Sequence, residues 1–203
     1  MKDFYQELSE YEHMSTWMCE QRSLFAPIEL AWQWHLWGKE DPLKFYSETD
    51  LYKFDLSMYH TSLLKRGMHA WFEEMLRKYD IKTMLDFGGG IGEYSILAEQ
   101  NGVTSIYTDV GKTADYAKWR FEKYNVKPLD KDYGTAVDLV MAMVVFEHFS
   151  NPEEKIKELA GRCTYIIANQ EEIPYNQVYP QHISKFDLSP YFRKVERYLW
   201  KKK

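Results

Sequence analysis

Residues 83–99, which read TMLDFGGGIGEYSILAE, constrain the fold of this chain more than any other stretch. Met84 and Leu85 predict a buried strand, Asp86 and a run of glycines follow, and a helix is expected to begin at Glu93. A strand that turns into a helix through glycines brings backbone close to a ligand at the carboxyl edge of a parallel sheet. Glycine suits such a turn because it has no Cβ and adopts positive φ.

The spacing of the glycines distinguishes two kinds of ligand. In the dinucleotide fingerprint G-x-G-x-x-G, a pyrophosphate lies on the helix N-terminus. Here the glycines fall at 88, 90 and 92, with a further one at 89, and Glu93 stands at the start of the helix. Carboxylates at Asp86 and Glu93 thus flank the turn. The pattern disfavours a phosphate and favours a ligand with a cationic, zwitterionic end.

A further acid follows the next predicted strand, which covers 104–108. Asp109 lies about 20 residues past the glycines, the spacing that a βαβ unit requires. The glycine turn and the acid before it resemble motif I of the class I S-adenosylmethionine (SAM)-dependent methyltransferases, whose pattern is an acid, one residue and then G-x-G-x-G. The family expects a second acid at the end of the next strand, and Asp109 stands there. The resemblance covers roughly residues 80–170. Its motifs concern the cofactor and say nothing of the methyl acceptor.

The resemblance implies SAM as cofactor and S-adenosylhomocysteine (SAH) as its product. Asp86 would organise the loop or reach the amino group of SAM through water, and Asp109 would hold the ribose hydroxyls. Val110 would lie against the adenine. Asp132, preferred over Asp130, would approach the adenine amino group, unless this pair belongs to a solvated acidic loop. The cofactor-binding residues predicted in this way are Asp86, Phe87, Gly88, Gly89, Gly90, Gly92, Asp109, Val110, Asp132 and Met143.

The exit of a later predicted strand bears on the acceptor. Residues 138–148 resemble the family segment that ends in a Leu-Glu-His-like turn. Family members that methylate adenine or glutamine amides carry an Asn/Asp-Pro-Pro-aromatic tetrad there. This chain has Ala142, Met143, Val144 and Val145 instead. These side chains offer no hydrogen bond to an amide or an exocyclic amine, so such acceptors are disfavoured.

A hydroxyl or carboxylic acceptor also needs a base. His148 is the first candidate, because the ordinary pKa of histidine lies near neutrality. Glu147 would orient it or bind a metal, although a Glu-His pair at a strand–helix junction also serves as a simple polar contact. His182 is the second candidate, and His60 and His35 follow. No ligand spacing supports a metal site, and none is predicted.

Strands alternate with helices after residue 80, which predicts a mostly parallel, Rossmann-like α/β sheet with helices on both faces. The C-terminal end is expected to be shortened, with one strand over 194–200 and the last strand of the family sheet missing or contributed another way. The predicted strands are 83–87, 104–108, an edge strand at 126–129, 138–144 and 163–168, and the predicted helices are 60–79, 93–101, 113–124 and 152–160.

The N-terminal part is expected to form a helical, aromatic-rich lid or substrate segment over 1–60, joined in one compact unit to a SAM-binding domain over 61–203. Aromatic residues make up 17% of the chain, and much of that share precedes residue 80. The periodicity predicts a helix over 3–25, a break at Pro27 and a short helix over 28–37. Residues 41–59 are expected to form an irregular flap. Trp32, Trp34 and Trp37 cannot share one face, and core packing is favoured over ligand contact for them.

The composition of the chain bears on its partners and on its cellular compartment. A net charge of −5 gives no electrostatic footprint for nucleic acid. Cys19 and Cys163 form no disulfide framework, which fits a reducing cytoplasm. The longest apolar run, 139–146, is too short to span a bilayer, and the first residues do not resemble a signal peptide. The leading hypothesis is a methyltransferase of a small molecule. The alternatives are a protein or peptide methyltransferase and a non-catalytic SAM-binding regulatory protein.

Overall fold

The computed structural model describes residues 3–129, 134–170 and 180–203, with the side chains at 63 and 64 outside that description. One mixed sheet runs through it in the order β2-β1-β3-β4-β6-β5. Strands β1 to β4 pair in parallel, and β6 pairs antiparallel with both β4 and β5. The strands are β1 Thr83–Phe87, β2 Thr104–Thr108, β3 Val137–Met141, β4 Cys163–Ile167, β5 Phe192–Lys194 and β6 Leu199–Lys202.

Helices cover both faces of this sheet, as predicted. Successive strand side chains point to opposite faces, so Met84 packs with Phe72 and Leu97 on one face. Its neighbour Leu85 packs with Ile156 on the other face. The helices are α1 Phe4–Glu12, α2 Thr16–Gln33, α3 Pro42–Glu48, α4 Tyr52–Thr61, α5 Leu63–Lys78, α6 Glu93–Gln100, α7 Gly111–Lys123 and α8 Pro152–Ala160.

The predicted edge strand at 126–129 is reduced to one bridge. Leu129 donates its amide to the carbonyl of Ser105 at 2.8 Å and accepts from the amide of Tyr107 at 3.2 Å. It lies beside β2 at the edge of the sheet, the position predicted for it. Pro128 has no amide proton for a further ladder bond, which explains why pairing goes no further back along the chain.

The C-terminal end corrects the expectation of a missing strand. The single strand predicted over 194–200 is instead the turn and flanks of an antiparallel hairpin, in which Arg193 pairs with Lys201. Phe192 and Trp200 are buried and fill the core on the α8 face of the sheet. Between β4 and β5, the described residues 168–170 and 180–191 contain no helix. The burial of these two aromatic residues explains why so short a hairpin is held.

The N-terminal helices differ from the prediction. The helix expected over 3–25 is interrupted where His13 adopts φ 55°, and α2 begins after Ser15, which accepts the amide of Met18 at 3.3 Å. Pro27 does not break α2, which continues to Gln33 and into a π-helical turn at Trp34–Gly38. A proline inside a helix costs about 3 kcal/mol. Burial of its own side chain and of the neighbouring α2 residues offsets that cost.

Residues 41–59 lie mostly in α3 and α4, so the irregular conformation expected for this flap was wrong. Asp41 caps α3 by accepting the amide of Lys44 at 3.0 Å, and Pro42 occupies the first turn, where proline is tolerated. Phe45 in α3 and Phe54 in α4 are fully buried. A contiguous core beneath both helices outweighs the turn-like composition of this stretch.

The three tryptophans divide between core and solvent. Trp34 is buried against Phe45 at a centroid distance of 5.2 Å. Trp37 contacts the same ring at 5.4 Å. Core packing is therefore confirmed for these two. Trp32 is 63% exposed and faces away from that core.

Arg120 joins the N-terminal helices to the sheet region. Its Nε donates to Glu7 of α1 at 2.6 Å and one terminal nitrogen donates to Glu93 of α6 at 2.7 Å. The other terminal nitrogen donates to the carbonyl of Ile91 in the glycine loop at 2.6 Å. Arg120 is fully buried. The same side chain therefore fixes α1, α6 and the loop that follows β1.

Candidate functional site

A cavity of about 890 Å³ opens at the carboxyl edge of β1, β2 and β3. This volume is at the upper end of the range for small-molecule sites. The sheet side of its wall includes Phe87, Gly88, Gly89, Gly90, Asp109 and Met143, all predicted cofactor residues. The opposite side comes from α3 and α4 and includes Tyr46, Tyr52, Leu56 and Tyr59. The edge of the parallel sheet and the N-terminal helices together form the site.

Asp86 holds the glycine loop from behind. Its carboxylate oxygen Oδ2 accepts the backbone amide of Ser95 at 3.1 Å and the Ser95 hydroxyl at 2.8 Å. It thus caps α6, since Gly92 has no side chain to do so. A helix N-terminus binds phosphate through free amides, and here one is already taken by a carboxylate. Burial raises the pKa of Asp86 to about 7.

Glu93 corrects one step of the sequence argument. It was expected to present a carboxylate to the ligand beside Asp86. Its side chain is buried and paired with Arg120 at 2.7 Å, and it is not part of the cavity wall. Glu93 therefore neutralises an arginine and does not select the ligand. The acids that face the cavity near the loop are Asp86 and Asp109.

Asp109 stands at the end of β2 where a ribose was predicted to bind. Its Oδ2 accepts the amide of Gly90 at 2.5 Å, and its Oδ1 accepts the amide of Val110 at 2.6 Å. Burial raises its pKa to about 6, although these two amide bonds oppose the shift. Val110 is 39% exposed and lines the cavity beside it. A carboxylate with an apolar neighbour suits a ribose and its attached base.

Gly89 shows how closely the loop is packed. A Cβ at this position would lie 2.7 Å from the Asp86 carboxylate and from the ring of Tyr107. Tyr107 also donates its hydroxyl to the carbonyl of Gly90 at 2.6 Å. Sequence reasoning missed Tyr107 and Ser95 as supports of the loop. The period of two along β2, which puts Tyr107 on the same face as Asp109, was the available signal.

The turn after β3 carries backbone strain at the site. Val144 has φ 58°, and a β-branched residue in this region costs about 1–3 kcal/mol. Val145 packs its methyl groups over Gly88, where an added Cβ would approach to 2.9 Å. Met141, Met143 and Val144 line the cavity beneath. The apolar surface expected at this strand exit is therefore part of the wall.

His148 and His182 meet on the wall of the cavity. Their ring centroids lie 4.8 Å apart. Nδ1 of His148 lies 2.9 Å from the hydroxyl of Tyr46 in α3 and 3.3 Å from the carbonyl of Gln181. Burial lowers the pKa of His148 to about 3 and that of His182 to about 4, so both imidazoles are neutral at pH 7. Tyr46 was not anticipated from the sequence.

Glu147 lies behind this pair. Its side chain is buried, outside the cavity wall, and its backbone carbonyl accepts the amides of Ile183 and Ser184. Burial raises the pKa of Glu147 to about 7. Its oxygen Oε2 makes no hydrogen bond to a described residue. The contacts of the His148 ring are with Tyr46, Gln181 and His182, and no hydrogen bond between described side chains joins Glu147 to it.

The remaining predicted residues are distributed as follows. His60 lines the cavity, with its Nδ1 2.9 Å from Nε2 of His69, whereas His35 is exposed on the π-helical turn. Gly92 starts α6 with φ 72°, behind the cavity wall. Asp132 and Asp130 lie outside the described residues. Within the described ranges, no group of three histidine, cysteine, aspartate or glutamate side chains is placed to hold a metal ion.

No protein-family model and no curated protein sequence matches this chain. Solved structures do match it. An O-methyltransferase family protein from Burkholderia thailandensis is 16% identical, with a TM-score of 0.54, over 87% of this chain and 71% of that one. A protein described as a putative O-methyltransferase from Nostoc punctiforme is 14% identical, with a TM-score of 0.53, over 80% and 58%.

Two other matched structures are spanned only in part by this chain. The chain spans 46% of the StiE O-MT, at 20% identity and a TM-score of 0.46. It spans 55% of a SAM-dependent methyltransferase from Clostridium acetobutylicum, at 11% identity and a TM-score of 0.48. In the described ranges, no helix combines the length and apolarity needed to cross a bilayer. The sheet order, the glycine loop and the two structures above a TM-score of 0.5 agree, and the chain has the Rossmann-like fold of the class I methyltransferases.

Proposed function

We propose that this protein transfers a methyl group from SAM to a small-molecule acceptor. One observation carries the proposal. Asp86 caps α6 from inside, while the Asp109 carboxylate stands at the cavity edge beside the glycine loop. A phosphate-binding loop leaves its helix amides open. In this loop the carboxylate of Asp86 already accepts a helix amide, and the carboxylate of Asp109 is available to hydroxyl groups of a ligand. This arrangement suits an adenosyl ligand without phosphates.

The residues present fit SAM. Gly88, Gly89 and Gly90 give a backbone surface without Cβ atoms for the methionine part, and Phe87 lies beside them. Asp109 would hold the ribose hydroxyls and Val110 the adenine. Met143, on the same sheet side of the wall, would border the sulfur. Asp132 stays a prediction for the adenine amino group, and Gly92 acts through the start of α6.

The bound sulfonium would supply an already activated methyl group, so the protein has mainly to align the acceptor and exclude water. The aromatic side of the wall, from α3 and α4, is placed for both tasks. Tyr46, Tyr52 and Tyr59 present large apolar faces to the space above the glycine loop. We therefore assign residues 1–60 as the lid and substrate segment and 61–203 as the SAM-binding domain. An aromatic cavity of this size favours a small planar or apolar acceptor over a protein chain.

His148 is the proposed base for a hydroxyl acceptor. It is neutral at pH 7 and lies on the cavity wall, with Tyr46 and Gln181 holding its Nδ1. The lowered pKa makes it a weak base, which would act on an acceptor proton that is already acidic, such as that of a phenol or a carboxylic acid. His182 lies against it and is the second candidate. That Glu147 orients His148 stays a prediction from the sequence.

Calorimetry with SAM, SAH, NAD and ATP tests the cofactor. Binding of SAM and SAH with neither NAD nor ATP supports the proposal, and the reverse pattern overturns it. Transfer of radiolabel from SAM to cell extracts, fractionated by size, then tests the acceptor. Label in the small-molecule fraction is expected. Label in protein would favour a protein or peptide methyltransferase, and SAM binding without any labelled product would favour a regulatory protein.

A further inference from the structure

Lys65 is a buried cation on the cavity wall. It is the third residue of α5, after the cap Ser62, and is 3% exposed. Its Nζ lies 4.0 Å from the centroid of the Tyr59 ring, over the ring face. Among the described residues, no carboxylate forms an ion pair with it. The lysine therefore faces the cavity without an acidic partner in the described chain.

An ammonium group in this setting is costly for the fold. Buried charges in proteins are normally paired, because removing an ion from water costs several kcal/mol. The Tyr59 ring face compensates for this cost only in part, because a cation–π contact is weaker than an ion pair in the same surroundings. Burial lowers the pKa of Lys65 to about 8, so the group still carries its proton at pH 7. Because an unpaired ammonium group at this position destabilises the fold, its presence in the cavity wall indicates that the positive charge of Lys65 serves ligand binding.

The surroundings of Lys65 indicate the kind of ligand. No other lysine or arginine lines the wall formed by the described residues. A single positive charge against an aromatic surface matches a group with one negative charge, whereas a phosphate dianion is usually held by several cations or a row of amides. Among the acids that line the same cavity, Asp41, Asp86 and Asp109 already accept hydrogen bonds from the chain. Lys65 is left to bind an anion that the ligand brings.

We propose that Lys65 binds the carboxylate of a molecule held in this cavity, with the Tyr59 ring fixing the ammonium group. The inference rests on the proposed function, and the carboxylate has two sources there. One is the amino-acid end of SAM. The other is an acid group on the methyl acceptor, which would then be an aromatic or apolar carboxylic acid. Either source places one charge-assisted hydrogen bond on Lys65 and makes this residue a determinant of ligand specificity.

Two variants separate charge from shape. Lys65→Met removes the charge with little change in volume, and Lys65→Arg keeps it. Lys157→Met, on the exposed face of α8, is the matched control. Calorimetry measures the binding of SAH and of 5′-methylthioadenosine, which lacks the amino-acid group. It also measures the binding of benzoate, an aromatic monocarboxylate, to SAH-saturated protein. Thermal melting checks that each variant is folded.

Loss of at least tenfold in SAH affinity in Lys65→Met, with 5′-methylthioadenosine unchanged and Lys65→Arg near wild type, assigns the carboxylate to SAM. Loss of benzoate binding with SAH binding unchanged assigns it to the acceptor. The proposal is overturned if both carboxylates bind Lys65→Met as they bind wild type, or if benzoate fails to bind and SAH affinity is unchanged. It is equally overturned if 5′-methylthioadenosine weakens as much as SAH. Wild-type protein that binds no SAH would instead refute the proposed function.

Discussion

The amide of Gly90 donates to Oδ2 of Asp109 at 2.5 Å and ties the end of β2 to the loop that follows β1. The bond crosses between two parallel strands that are neighbours in the sheet. It fixes the height of the glycine loop relative to the acid that is proposed to hold the ribose. Asp109 thus shapes the site as well as offering oxygens to the ligand.

Replacing Asp109 separates these two roles. Asp109→Ala removes both the bond to Gly90 and the ribose contact, and we expect SAH affinity to fall by about 10- to 100-fold, because charge-assisted hydrogen bonds are worth about 1.5–3 kcal/mol. Asp109→Asn retains an acceptor for the Gly90 amide and should lose less. Isothermal calorimetry measures both, with Asp115→Ala on the exposed side of α7 as control. Equal affinity in all variants would remove Asp109 from the cofactor site.

Arg120 makes a second test, of stability. Arg120→Met would remove the cation that neutralises the buried carboxylates of Glu7 and Glu93. Breaking a buried pair in this way costs about 3–5 kcal/mol. Chemical denaturation should show that loss in the free energy of unfolding. Because Arg120 also holds the carbonyl of Ile91, SAH affinity should fall as well.

Lys155 is the control for Arg120, because its ion pair lies at the surface and should contribute little to the free energy of unfolding. Lys155 pairs with Glu158 along α8, and both side chains reach solvent. Exposed pairs contribute about 0–1 kcal/mol, so Lys155→Met should change unfolding little. If Arg120→Met and Lys155→Met lower the free energy of unfolding by similar amounts, Arg120 does not stabilise the packing of the N-terminal helices.

Features that depend on the spacing of residues within one short segment could be predicted from the sequence. Asp86, the glycines and Asp109 are held by the spacing of one βαβ unit, so their order predicted both the sheet and the loop. Burial on both faces of β1 and β3 follows from their apolar runs. The order of the residues did not reveal that Glu93 forms an ion pair with Arg120. The two residues are 27 positions apart and belong to different helices.

The N-terminal helices and their contacts with the site were not predicted correctly, and the reason lies in tertiary packing. Pro27 inside α2 and the charged, turn-like stretch that became α3 are local signals overruled by a shared core around Phe45 and Phe54. The contact between Tyr46 and His148 joins residues 102 positions apart, and no periodicity points to it. Such contacts depend on how helices dock, which the pattern of one segment does not determine.

Glu147 gives a prediction for the pH dependence of stability. Its pKa is raised from its ordinary value of 4.5 to about 7 by burial. The folded state therefore binds a proton more tightly than the unfolded state, and the charge destabilises the fold as pH rises from about 4.5 through 7. Glu147→Gln removes that penalty. We expect a gain of up to about 3 kcal/mol at pH 8.5 that vanishes near pH 4.5.

Chemical denaturation of wild type and Glu147→Gln at several pH values measures the effect. His148 and His182 have lowered pKa values and destabilise the fold as pH falls, so the difference between the two proteins isolates Glu147. A gain that grows towards low pH would contradict the direction of the Glu147 shift. Turnover of this variant also tests whether Glu147 supports His148, and unchanged turnover would leave it a structural residue.

His148 should behave as a neutral imidazole throughout the physiological range. Because burial lowers its pKa to about 3, its NMR resonances should not titrate between pH 5 and 8, whereas an unperturbed histidine titrates near 6.5. His148→Gln identifies the resonance and should lower methyl transfer by about 10²- to 10⁴-fold, the usual worth of a positioned base, with SAH affinity nearly intact. Tyr46→Phe removes the hydroxyl that lies 2.9 Å from Nδ1 and should reduce turnover less. Normal turnover in His148→Gln would make His148 structural, and a titration near pH 6.5 would show that the ring is not buried as described.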